Sequence, residues 1–140
     1  MSKIAPAVRD KIRCEAGNRC GYCLSRQEFV LGVLEIDHII PTAADGSDNE
    51  DNLWLACRAC NTAKSSQTEA IDPLTGRRVP LFNPRRQNWW EHFCWSASGV
   101  EIIGITPNGR ATAVALDLNN VISLIVRQNW VTAGWHPPQK

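Results

Sequence analysis

No stretch of this 140-residue sequence approaches the roughly 18 consecutive apolar residues needed to cross a bilayer, which excludes a helical membrane span. The start, Met1-Ser2-Lys3-Ile4-Ala5-Pro6, lacks the hydrophobic core of a signal peptide, so a cytoplasmic address is expected. No convincing internal repeat occurs, and no heptad pattern suggests a coiled-coil dimer, so a monomer is the expected state. Net charge is almost absent, at +1, yet one sign is missing from a whole segment: residues 27–57 carry seven acidic and no basic side chains.

What is present is segregated around that acidic centre. Residues 3–26 carry six basic and two acidic side chains, and residues 58–95 carry six basic and three acidic ones. A basic-acidic-basic order fits a metal-binding centre flanked by arms that grip an anionic backbone, although solvated loops and helix faces give the same pattern. Most of the fifteen basic residues are arginine, which favours planar bidentate phosphate contacts. Hydrophobic content of 44% and charged content of 21% describe an ordinary globular chain.

The six cysteines are unevenly placed. Cys20/Cys23 and Cys57/Cys60 form two Cys-x2-Cys pairs, whereas Cys14 and Cys94 fall outside the pattern and read as free thiols. Without a secretion signal, paired two-residue spacing points to zinc rather than to disulfides. Each pair supplies two ligands, so two pairs saturate one tetrahedral ion and leave no position for water; such a zinc is structural. An iron–sulfur cluster or redox-active pairs are the alternatives. Redox chemistry needs only one pair, so a matched set counts against it.

Residues 5–18 have helical spacing in Val8, Ile12 and Ala16, with Pro6 suited to the first turn. Residues 29–36 are rich in β-branched and apolar side chains and read as a strand closed by Pro41. Residues 42–51 form a polar loop, residues 52–56 a short strand or turn, and residues 59–70 a helix. Beyond a turn at 72–76, residues 77–86 read as an extended basic connector. Ser98-Gly99 marks a hairpin turn before a strand at 100–105, and two helices follow at 109–118 and 119–133. The expected organisation is a domain at 1–70 and, packed on it, an extension at 71–140 comprising connector, hairpin and two helices.

Between the cysteine pairs lies Glu35-Ile36-Asp37-His38-Ile39-Ile40-Pro41, and Asn61 follows the second pair at once. Asp-His at a strand end can bind a metal and activate water, while Asn52 and Asn61 can complete and fix the site. The pattern Cys20-x2-Cys23, Asp37-His38-Ile39-Ile40-Pro41, Asp51-Asn52-Leu53, Cys57-x2-Cys60-Asn61-x2-Lys64 resembles the HNH endonucleases, in their zinc-stapled bacterial and phage branch. The resemblance spans about residues 14–66.

That resemblance implies an α+β fold: a ββα-metal core with a structural zinc held by four cysteines, an N-terminal helix and a C-terminal hairpin-plus-helices extension. It implies hydrolysis of DNA phosphodiester bonds, leaving 5′-phosphate and 3′-hydroxyl ends. His38 matches the general base, Asp37 a ligand of the catalytic divalent metal, Asn52 the residue that fixes the loop and holds the base, and Asn61 the second metal ligand. This is the His-Asn-Asn variant. Its amide oxygen is harder than imidazole and leans toward Mg2+ or Mn2+. An ordinary histidine pKa of about 6.5 suits proton removal near neutral pH.

Lys64, Arg77, Arg78, Arg85 and Arg86 are candidate phosphate contacts. Glu35 shares a strand face with Asp37 and reads as structural. The stretch 81–95 resembles an extension in a bacterial subgroup of HNH proteins. There His92 reads as a hydrogen-bonded core histidine and the tryptophans as core. The rival functional readings are a zinc-stabilised nucleic-acid-binding module without catalysis and a zinc-scaffolded interaction domain.

Overall fold

A computed structural model describes residues 4–140 and resolves them into two compact units. The first comprises residues up to Thr68 together with Asn83–Gln87; the second comprises Glu69–Phe82 and Asn88–Lys140.

In the first unit, helix α1 spans Pro6–Glu15 with Pro6 in its first turn, where the missing N–H costs nothing. It buries Ile12, and it packs on strand β2 (Leu53–Ala56). Strand β1 (Glu35–His38) pairs antiparallel with β2, from Glu35 opposite Ala56 to His38 opposite Leu53. Helix α2 (Arg58–Lys64) follows directly, and Cys57 caps it by accepting from the Cys60 N–H. The β1–β2–α2 succession is the expected ββα core. Its apolar centre is Ala16, Leu34 and Leu55, surrounded by Val30, Ile36 and Trp54.

Two sequence expectations shift here. The strand read at 29–36 begins only at Glu35. Before it, Gln27–Phe29 form a short 3-10 turn, and the Gln27 side chain bonds the Gly32 carbonyl and the Leu34 N–H. That side chain takes over backbone groups a strand neighbour would otherwise need, and β2 is only four residues long. The helix read at 59–70 stops at Lys64. Ser65 takes a left-handed φ of 51°, and the Gln67 amide caps the Ala63 and Lys64 carbonyls.

In the second unit, strands β3 (Glu69–Ile71) and β4 (Arg78–Pro80) form an antiparallel hairpin. The basic connector is therefore partly a strand. Asp72 builds the intervening turn: its carboxylate accepts from the Leu74 N–H and the Thr75 hydroxyl, and binds Arg110 bidentately at 2.8 and 2.9 Å. Arg110 holds the Asp72 carboxyl well below the usual carboxylate range. A short helix α3 (Trp89–His92) leads into the hairpin of β5 (Phe93–Trp95) and β6 (Ile102–Gly104), with Gly99 at a positive φ in its turn. Helix α4 (Pro107–Ala115) is capped by Thr106, and α5 (Val121–Ala133) by Asn120. Trp89, Phe93 and Trp95 pack ring against ring, and Nδ1 of His92 bonds Thr106 at 2.7 Å.

Candidate active site and zinc centre

The first cysteine pair sits in a tight reversal. The Cys20 N–H bonds the Ser25 carbonyl, the Leu24 N–H bonds the Cys20 carbonyl, and Leu24 takes a φ of 62°. Gly21 is required at the apex, because a Cβ there would stand 2.3 Å from the Trp54 ring. The second pair opens α2. Together they bring the sulfurs of Cys20, Cys23, Cys57 and Cys60 within 4.8 Å of one another, with Cys23 and Cys57 3.7 Å apart. Four sulfurs around zinc at about 2.3 Å would stand about 3.8 Å from each other, so the quartet fits that ion. Burial pushes the Cys20 thiol up, whereas hydrogen bonds from Cys20, Cys57 and Cys60 hold Cys23 down. Four sulfurs packed this closely could all ionise only around a cation.

The cysteine reversal also places Tyr22, fully buried, with its hydroxyl 2.6 Å from Oδ2 of Asp37. Asp37 is only 2% exposed. Its Oδ1 faces the ammonium of Lys64, likewise 2% exposed, at 3.2 Å. Lys64 donates further to the His38 carbonyl at 2.9 Å. Burial and the Asp37 carboxylate push the Tyr22 hydroxyl's pKa well up, so the phenol remains a donor.

One pleat earlier on the same strand face, Oε1 of Glu35 accepts from Nδ2 of Asn61 at 2.9 Å, and its other oxygen stands 3.9 Å from Arg58. Strand β1 and helix α2 are thus joined by two polar rungs, Glu35–Asn61 and Asp37–Lys64. Because Nδ2 is held by Glu35, Asn61 directs its carbonyl oxygen away from that carboxylate. Glu35, Asp37 and Asn61 supply hard oxygen donors along one seam, and each carboxylate oxygen keeps a spare lone pair. In chemical kind the seam fits a magnesium-like ion.

His38 ends β1 with its side chain 19% exposed, and its Nε2 lies 2.7 Å from Oδ1 of Asp48. Asn52 fixes the intervening loop. Its Oδ1 accepts from the Ile40 N–H at 2.8 Å, while Nδ2 donates to the carbonyls of Ile40 and Ser47 at 3.0 and 2.8 Å. Gly46 lies against the same turn, where a Cβ would fall 1.6 Å from the Ile40 carbonyl oxygen.

The segment that carries this geometry also has a counterpart among known proteins. Residues 20–67 match the HNH endonuclease family. The HNH match covers about a third of the chain and includes both cysteine pairs, the Asp37-His38 run, Asn52 and Asn61. It supports a nuclease-type function on nucleic acid and a metal-binding character. No curated protein matches the chain. Among the described residues, no helix is long and apolar enough to cross a membrane.

The basic candidates separate. Lys64 is corrected: buried and committed to Asp37 and His38, it does not present its ammonium to a phosphate. Arg85 is corrected as well. Its guanidinium bonds the Leu53 carbonyl, pairs with Glu15 and lies over the Trp54 ring, so it braces the first unit. Arg86 is exposed and lines a surface pocket of about 350 Å3 with Asp45, Gly46, Asn52 and Asn83. Arg77 and Arg78 are exposed on the second unit's first hairpin. Sequence reasoning missed Asp48 and Tyr22. An aspartate in a polar loop carries no distinguishing signal; Tyr22, the one tyrosine of the chain and set between two ligands, offered one.

Proposed function

We infer that the chain is a metal-dependent endonuclease that hydrolyses DNA phosphodiester bonds with His38 as general base. The observation that carries this reading is the orientation of His38. A carboxylate at Nε2 accepts the ring N–H, so the tautomer with Nε2 protonated is favoured and Nδ1 keeps its lone pair for a water proton. Asp48 then stabilises the imidazolium that forms. Asn52 ties the strand end to the loop carrying Asp48 and so preserves the alignment.

Asp37 and Asn61 would hold a Mg2+ or Mn2+ ion. When bound, the ion supplies positive charge for a phosphate oxygen and for the oxygen that leaves. Tyr22 orients Asp37 and Glu35 orients Asn61, so both donors are supported from behind. Zinc in the cysteine quartet serves the scaffold alone. Exposed Arg77, Arg78 and Arg86 are the side chains available for phosphate contact, DNA is the expected partner, and the expected products carry 5′-phosphate and 3′-hydroxyl ends.

The test is conversion of supercoiled plasmid to nicked or linear forms with added magnesium or manganese, followed by end-group mapping. Ligatable 5′-phosphate ends that vanish with EDTA support the reading. Plasmid bound but left intact across divalent metals would instead select the zinc-stabilised nucleic-acid-binding module.

A further inference from the structure

The Asp37–Lys64 pair has a consequence for how a divalent ion could enter. Each partner is 2% exposed, and a charge is buried that deeply only when it is paired and hydrogen-bonded. The pairing is thorough: Lys64 bonds both Oδ1 of Asp37 and the His38 carbonyl, and Tyr22 occupies the other oxygen of Asp37. One turn earlier on α2, Asn61 is neutral. The second anion on the seam, Glu35, already faces Asn61 and Arg58. Arg58 is largely exposed, so solvent screens its effect on Glu35 and it offsets little of that charge. The seam therefore offers an arriving dication about one uncompensated negative charge, not two, and sets a fixed ammonium against the ligand it needs.

We propose that Lys64 is a resident counter-cation of Asp37 that keeps the free protein from retaining a divalent ion, so that the ion is held only together with a phosphodiester. This rests on the endonuclease reading and adds an order of assembly to it. The phosphodiester brings the anionic charge that the seam lacks. By linkage, the ion and the nucleic acid each raise the affinity for the other by the same factor. Oxygen ligation shared between carboxylate and substrate phosphate is a usual arrangement for magnesium.

The experiment is calorimetric titration of Mn2+ into the zinc-loaded protein, alone and with a short DNA duplex, for His38→Ala and for His38→Ala/Lys64→Met. The His38 replacement slows turnover roughly 10²–10⁴-fold, which limits cleavage during the titration. The duplex should tighten Mn2+ binding to the first protein at least about fivefold. Lys64→Met should tighten Mn2+ binding without duplex by a similar factor and shrink the duplex effect. Equal Mn2+ affinity in the two folded proteins without duplex overturns the proposal and leaves the endonuclease reading standing. No Mn2+ binding in either protein, with or without duplex, overturns both.

Should Lys64→Met fail to fold, the unmodified chain gives the answer through the 15N signal of the Lys64 ammonium. Burial slows its proton exchange enough for detection. Millimolar Mg2+ alone should leave the signal in place, and Mg2+ with duplex should shift it. A shift with Mg2+ alone contradicts the proposal.

Discussion

At the scale of single residues, the site is defined as much by what holds the chemical groups as by the groups themselves. His38 and Asn61 stand out in the sequence because they fall at motif spacing. Asp48 and Tyr22 do not, because a hydrogen bond between residues 38 and 48 or 22 and 37 depends on the closed loop. Lys64 shows the limit most clearly. A lysine one turn beyond Asn61 reads as a surface residue, and only the packing of α2 on β1 reveals it as the buried partner of a carboxylate. Asp48→Ala should remove the group that fixes the His38 tautomer and slow cleavage by roughly tenfold to a hundredfold. Zinc content and thermal midpoint should stay near their original values, since Asp48 is 47% exposed. A KM change alone, with kcat intact, would place Asp48 in binding rather than in orienting the base.

At the scale of elements, local pattern located most helices and strands, but pairing decided their lengths. Phe29, Val30 and Val33 have strand propensity, yet the strand forms only where β2 provides a neighbour, from Glu35 onward. The hairpin over 69–80 escaped notice for a related reason. Its strands are three residues each, and the basic Arg77-Arg78 and Pro80 suggested an open connector. What secures that hairpin is the Asp72 turn and its bidentate contact with Arg110. Because Arg110 holds the Asp72 carboxyl below its unfolded value of about 3.9, the stabilisation is complete above that pH. It is lost as pH falls toward the folded-state value. Urea unfolding should therefore show Asp72→Asn less stable at pH 7, with the gap narrowing below about pH 4. A gap independent of pH would mean that the charge of Asp72 does not matter to the hairpin.

At the scale of the whole molecule, each compact unit is held by different means. The first has a small apolar centre and four clustered sulfurs; the second has an aromatic core of Trp89, Phe93 and Phe82 with the buried Arg127 bonding the Val100 and Leu118 carbonyls. Structural zinc contributes apparent free energies of about 10–16 kcal/mol in small peptides, at or above the whole stability of a typical domain. Cys57→Ser or strong chelation should thus abolish amide-exchange protection in β1, β2 and α2. The β5–β6 hairpin and α4, which contain none of the four ligands, should keep theirs. Protection retained throughout a zinc-free Cys57→Ser protein would show that the quartet is not a structural clamp.

The proposed division of labour between the cysteine quartet and the residues assigned to catalysis, His38 with Asp37 and Asn61, is tested most directly by one number, the single-turnover cleavage rate of His38→Ala loaded with one zinc per chain. The expected result is a folded protein, zinc-replete, that cleaves DNA roughly 10²–10⁴-fold more slowly than the unaltered chain. A zinc-replete His38→Ala protein that cleaves at the unaltered rate would contradict the assignment of His38 as the base.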